Sequence, residues 1–214
     1  MNHIPRDKKI RSLVSRLNKQ RKAQAKKMDI LCNDLVAAQR NFIKRLRTIS
    51  FAANFYHAIL GISDLDSLCN TAGKLVKNEL PGTNVVFFLR RGDGFELHLT
   101  ESDQPVTFEQ QPLERSFTPE LVNNVCRSNK LCALDNLLQM GLQVSPPVLN
   151  GLSAVTIPVS SRAQVSGFIL IYACAKNKIT SEQLNDVSAV MPGLFRAIDG
   201  CCVYSPSANQ EITP

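Results

Sequence analysis

Two short runs limit the fold more than anything else in the chain: NVVFFL at residues 84–89 and GFILIY at residues 167–172. Successive side chains of a strand point to opposite faces of its sheet. A strand with one face in water keeps that face polar, yet both runs are apolar at successive positions. Each must be a central strand with apolar cover on both faces, so the domain needs two covering layers.

The neighbouring residues supply the rest of a sheet. Asp93-Gly94 is a hairpin turn signal, because Gly accepts the positive φ such turns need. Beyond it Phe95, Leu97 and Leu99 alternate with Glu96, His98 and Thr100. That alternation predicts a half-buried strand with the three apolar residues inward and His98 on the polar side. The stretch SAVTIPVSSRAQVSGFILIY (153–172) reads as a second hairpin. Helix signals frame these strands. Ser63 followed by Asp66 predicts a cap for the helix through Leu68, Ala72, Leu75 and Val76, which Pro81-Gly82 stops. Thr118-Pro119 starts another helix, with Pro in its first turn. Thr180 and Gln183 form a capping box before the last helix, in which Pro192 predicts a kink. A short strand, LCALD, follows the middle helix, and residues 101–117 and 136–152 read as loops. This order predicts an α+β domain with an antiparallel sheet. The terminal helices cover one face, and the middle helix and loops cover the other. A sheet face roofed largely by loop is where a small-molecule pocket is expected.

Charge divides the chain. Residues 1–47 hold 14 Lys/Arg against 3 Asp/Glu, a net of +11, whereas the rest holds 11 against 15, a net of −4. Met28, Leu35, Phe42, Ile49 and Tyr56 recur every seven residues, with Leu31, Ala38, Ala52 and Ile59 in the second seam and Arg45 interrupting. An apolar stripe this narrow predicts a long helix that pairs with another helix. The predicted dimer interface is Met28, Leu31, Leu35, Phe42, Ile49 and Tyr56. Upstream, Ile10, Leu13, Val14 and Leu17 mark one or two further amphipathic turns, and NKQRKAQAKK between them is either a solvated helix or disordered. The basic charge suits nucleic acid or an acidic membrane surface through phosphate attraction. It suits a solvated helix face better, because the arm has no interleaved aromatic before Phe42 and no visible device for reading bases.

No apolar run approaches the roughly 20 residues of a membrane span. The N-terminus is charged from Arg6 onward, which reads as neither a secretory signal nor an anchor. The seven cysteines are odd in number and lack C-x-x-C spacing, so reduced thiols in the cytoplasm are expected.

Taken in order, ISDLDSLCNTAGKLVKNELPGTNVVFFLRRGDGFELHL, SFTPELVNNVCRSNKLCALDN and LNGLSAVTIPVSSRAQVSGFILIYACAKNKITSEQLNDVSAVMPGLFRAI resemble a GAF domain over residues 45–200. The resemblance implies a sheet of about six strands, dimerisation through the N- and C-terminal helices, and use as a small-molecule or redox sensor. It divides the chain into a basic helical arm (1–47), a GAF domain (48–200) and a flexible tail (201–214).

Specialised GAF chemistries find little support. The Asn-Lys-Phe-Asp-Glu signature of the cyclic-nucleotide phosphodiesterase type is absent, and no cysteine is followed by His, as bilin attachment needs. Cys126 and Cys132 lack the Gly-rich context of the free methionine sulfoxide reductases, although Arg127 and Lys130 beside them keep a thiol-based redox role open. His3, His57 and His98 are scattered without metal-ligand spacing. The chain therefore reads as a non-catalytic signalling module that either binds a small ligand as a sensor or acts as a dimerisation scaffold, with no cofactor identified. Its candidate ligand residues are Phe88, Arg90, His98, Phe117, Asp135, Asn136, Ser153 and Thr156, with Arg90 suited to an anionic ligand. Such a module passes its state to a signalling partner, either a separate protein or a further part of a longer chain.

Overall fold

The computed structural model describes residues 4–92, 94–100, 112–145, 149, 151–161, 164–175, 177 and 179–204. The chain divides into two compact units, Met1–Ile49 and Ser50–Pro214. The described residues of the first unit belong to helix α1 (Ile4–Ile59), 56 residues long, which runs on into the second, and NKQRKAQAKK is helical within it. Its apolar stripe is bare: Met28, Leu31, Leu35, Phe42 and Ile49 are 62–69% exposed.

The second unit begins with the last turns of α1, where Phe55 and Ile59 are buried and Phe51 and Ala52 pack beside them. Helix α2 (Leu65–Glu79) follows. Its cap is Asp64 rather than Ser63, because the Asp64 carboxylate accepts from the Ser67 N–H at 2.8 Å. Strands β1 (Thr83–Arg91) and β2 (Gly94–Leu99) form the first hairpin. Asp93 of the expected turn lies outside the described residues, as do residues 101–111 of the first loop, Pro146-Pro147 of the second and residues 205–214 of the tail. A 3-10 turn (Leu113–Ser116) precedes α3 (Pro119–Ser128), which Thr118 caps with its hydroxyl 3.3 Å from the Leu121 N–H.

After β3 (Cys132–Ala133), part of the second expected loop is helix α4 (Leu134–Gln139). The Asn136 side chain accepts from the Ala133 N–H at 3.2 Å and closes its first turn. The second hairpin is β4 (Leu152–Ser160) and β5 (Val165–Cys174). Helix α5 (Ser181–Tyr204) starts at the expected capping box, where Gln183 Oε1 accepts from the Thr180 N–H at 3.1 Å. It runs as one element through Pro192 and continues past residue 200 to Tyr204, with Cys201 buried, so the start of the expected flexible tail is helix.

Among the described residues the sheet has five antiparallel strands in the order β2-β1-β5-β4-β3, against the expected six or so. β1 and β5 sit side by side at its middle, pairing from Thr83↔Ala173 to Leu89↔Gly167. Odd positions of β1 (Val85, Phe87, Leu89) join Ile169 and Ile171 under α2, α5 and the end of α1. Even positions (Val86, Phe88) join Phe168, Leu170 and Tyr172 under α3, α4 and the 3-10 turn. Both faces are covered, by the layers the sequence predicts.

β2 is turned over relative to its expected orientation. Pairing sets His98 beside Phe87 and Leu97 beside Phe88, so His98 faces the helical layer. Leu97 and Leu99 are 43% and 58% exposed, whereas His98 and Thr100 are 8% and 7% exposed. Helix α2 makes the inward polar residues tolerable. Asp66 Oδ1 lies 2.8 Å from His98 Nδ1, Lys77 Nζ donates to the Thr100 carbonyl at 3.0 Å, and Gly73 leaves room for the Thr100 side chain.

Gly167 marks a close backbone approach of β5 to β1. Its φ is +148°, and an added Cβ would press on the Phe88 carbonyl oxygen. Gly167→Ala should therefore lower the stability of the domain by roughly 3 kcal/mol. Urea unfolding followed by circular dichroism measures this; an unchanged midpoint would mean that the close approach of β1 and β5 is wrong.

Candidate functional site

The eight candidate residues do not form one site. Phe88, Arg90, Phe117 and Thr156 belong to the α3 side of the sheet, whereas His98 and Ser153 belong to the opposite face, in the same strand phase as Phe87 and Val155 respectively. Asp135 and Asn136 are exposed on α4, and the Asn136 side chain is taken up in capping that helix.

Among the described residues, aromatic side chains occupy the middle of the α3-side face, where a central pocket was expected. The Phe88 ring stacks on Phe168 with centroids 4.8 Å apart and planes 17° apart, and Phe117 closes on Phe88 at 5.2 Å. Such contacts, together with burial of three large rings, make this a packed core rather than a cavity. Thr156 is fully buried beside it, with no partner for its hydroxyl among the described residues. At the other end of the same face the Tyr172 hydroxyl donates to Glu114 at 2.6 Å and ties the 3-10 turn to β5. Burial, then the Glu114 carboxylate, pushes the Tyr172 hydroxyl pKa well above the ordinary phenol range.

An open cavity of about 670 Å³ lies at the end of β1, lined by Arg90, Gly92, Phe95, Asn123, Cys126, Arg127, Gln164, Val165 and Ser166. Arg90 belongs here by simple strand phase, because it continues the series Val86, Phe88 on the α3 side. Asn123 and Arg127 are four residues apart on α3 and share one helical face. Residues 164–166 enter β5 beside β1. Of the eight candidates only Arg90 lines this cavity. No motif in the sequence links the second half of α3 to the start of β5, so the other wall residues were not foreseeable as a set. In the sequence, Arg127 and Cys126 mark only a charged thiol environment.

Neither Cys126 nor Cys132 is an exposed thiol. Cys126 is half-buried, and burial raises its thiol pKa to about 11 against the opposing pull of Arg90. Cys132 is buried; its thiol donates to the Lys130 carbonyl at 3.3 Å and lies 3.3 Å from the Ser128 hydroxyl. Among the described residues no cluster of three or more His, Cys, Asp or Glu has the arrangement of a metal site. No described helix is long and apolar enough to cross a membrane.

Sequence comparison finds no matching family model and no matching curated protein. The fold, by contrast, is similar to solved structures. The GAF domain from a phosphoenolpyruvate-protein phosphotransferase of Coxiella burnetii aligns with a TM-score of 0.55 at 12% identity, covering 74% of this chain and 96% of that one. The GAF domain of the Acinetobacter phosphoenolpyruvate-protein phosphotransferase gives 0.53 at 12% identity, covering 73% and 96%. The fRMsr of Staphylococcus aureus, in complex with its substrate, gives 0.50 at 12% identity, covering 71% and 95%. The chain has a GAF-like fold.

A raised thiol pKa means that the folded state holds the Cys126 proton more tightly than the unfolded chain does. Stability from this group is therefore present below the ordinary thiol pKa of 9.0 and is lost as pH rises toward about 11. Iodoacetamide should modify Cys126 more slowly than free cysteine at neutral pH, and the rate should climb only in that alkaline window. Faster-than-free reaction at pH 7 would restore the redox reading.

Proposed function

We propose that the protein is a non-catalytic, dimeric sensor module in which a GAF-like domain reports its state through helix α1. One observation carries this reading: a helix that gives Phe55 and Ile59 to the domain core leaves its upstream apolar seam bare. Met28, Leu31, Leu35, Phe42 and Ile49 are each more than 60% exposed. Five large apolar residues repeating along one stripe are costly in water and match the a and d positions of a coiled coil. The same register runs back through Leu17, Val14 and Ile10, also more than half exposed. A second copy of the chain supplies an identical stripe, which makes a parallel homodimer the simplest partner. Tyr56 contributes less than the other seam residues, because its ring packs on Gly193 and its hydroxyl donates to the Ala189 carbonyl at 3.4 Å.

A thiol-based redox role is the second reading, and the half-buried Cys126 and buried Cys132 oppose it. Six described cysteines carry free thiols, which supports a reducing, cytoplasmic setting. The Lys and Arg side chains of α1 support a nucleic-acid partner only as a general polyanion attraction, with strong salt dependence.

Leu35→Asp places a charge in the seam, where pairing would bury it without a partner. Light scattering on the intact chain at tens of micromolar should show a dimer for the parent and a monomer for the variant. Their domain melting temperatures should remain close, because Leu35 lies outside the core. A monomeric parent chain would overturn the reading.

A further inference from the structure

We propose that the cavity at the end of β1 binds a small organic oxyanion, a carboxylate or phosphate ester, with its apolar part against Phe95 and Val165. This rests on the sensor reading and names the ligand class that such a sensor takes. Two guanidinium groups, Arg90 and Arg127, line the same cavity. Its wall includes no carboxylate among the described residues, and neither arginine has an ion-pair partner among them. Like charges held in one concavity repel, and an anion between them relieves that repulsion. Guanidinium forks match carboxylate and phosphate oxygens in geometry.

Arg127 alone would be weak evidence. It lies in the last turn of α3, where the helix carbonyls favour any cation. Arg90 has no helix end to satisfy. It stands on a strand, half of whose phase is filled by the Phe88 stack, and it faces the same space as the α3 arginine. The remaining wall completes a recognition set. Asn123 and Gln164 bring amide donors and Ser166 a hydroxyl, while Phe95 and Val165 give an apolar side. At about 670 Å³ the cavity has the size of a metabolite site. The half-buried Cys126 also lines it and, as a neutral thiol, adds no competing negative charge.

Calorimetric titration of the intact chain at fixed ionic strength tests this with three probes: benzoate, inorganic phosphate and the neutral benzamide. At least one anion should bind saturably, one per chain, and benzamide should not. Arg90→Gln and Arg127→Gln should each weaken that binding by roughly tenfold to a hundredfold, the worth of one charged hydrogen-bonding contact. Both side chains are exposed, so the unliganded variants should melt with the parent. Binding of benzoate but not phosphate assigns the site to carboxylates, and the reverse assigns it to phosphates. No saturable binding of either anion at millimolar concentration overturns the proposal, as does binding that neither arginine variant weakens. The dimer seen by light scattering is independent of these outcomes, so a failed titration leaves a scaffold module, whereas a monomeric chain removes the sensor reading itself.

Discussion

The pairing of β1 with β5 is the interaction on which the rest of the domain depends. From Thr83 to Leu89 and from Gly167 to Ala173 the two strands form one ladder, and every residue in it is buried. Because each strand is apolar on both faces, neither face can be left to water. Helices α2 and α5 and the end of α1 cover the odd-numbered residues of β1, and α3, α4 and the 3-10 turn cover the even-numbered ones. Gly167 lets the strands meet, and the Phe88–Phe168 stack locks the pair on the α3 side. β4 beside them is likewise buried on both faces, and β2 and β3 extend the sheet at its edges.

That dependence explains which features were legible in the residues. Runs such as VVFFL and FILIY state their own environment, so the two-layer cover could be read directly, as could the caps at Thr118 and Thr180. β2 could not. Its alternation is clear, but alternation fixes only that two faces differ, not which one meets the core. The register against β1 and the partners offered by α2 decide that, and Asp66, Gly73 and Lys77 make room for His98 and Thr100. The short helix α4 was hidden for a similar reason, since it hangs on a single Asn136 cap within a stretch too short for periodicity to show.

The candidate site was legible only at Arg90. Phe88 and Phe117 looked like pocket residues because they lie on the loop-roofed face, but aromatic rings large enough to line a pocket are also large enough to fill it. The cavity is displaced to the strand end, where β1 has run out of apolar residues and turns to Arg90. Its other walls come from segments distant in the chain, and only tertiary packing assembles them.

Helix α1 belongs to both parts of this organisation: its last turns complete the core layer, and its upstream apolar stripe is exposed. The arrangement of two such chains can be measured by pulsed electron–electron spin resonance. A spin label is placed at Ser12→Cys, on the outer face of the seam, with exposed Cys32 and Cys174 replaced by Ser. A parallel, in-register pair holds the two labels roughly 20 Å apart, about two helix diameters. An antiparallel pair centred on the Met28–Ile49 seam would set them roughly 80 Å apart at 1.5 Å per residue. A single short distance is the predicted result, and a long distance, or no measurable coupling at all, would contradict the parallel dimer.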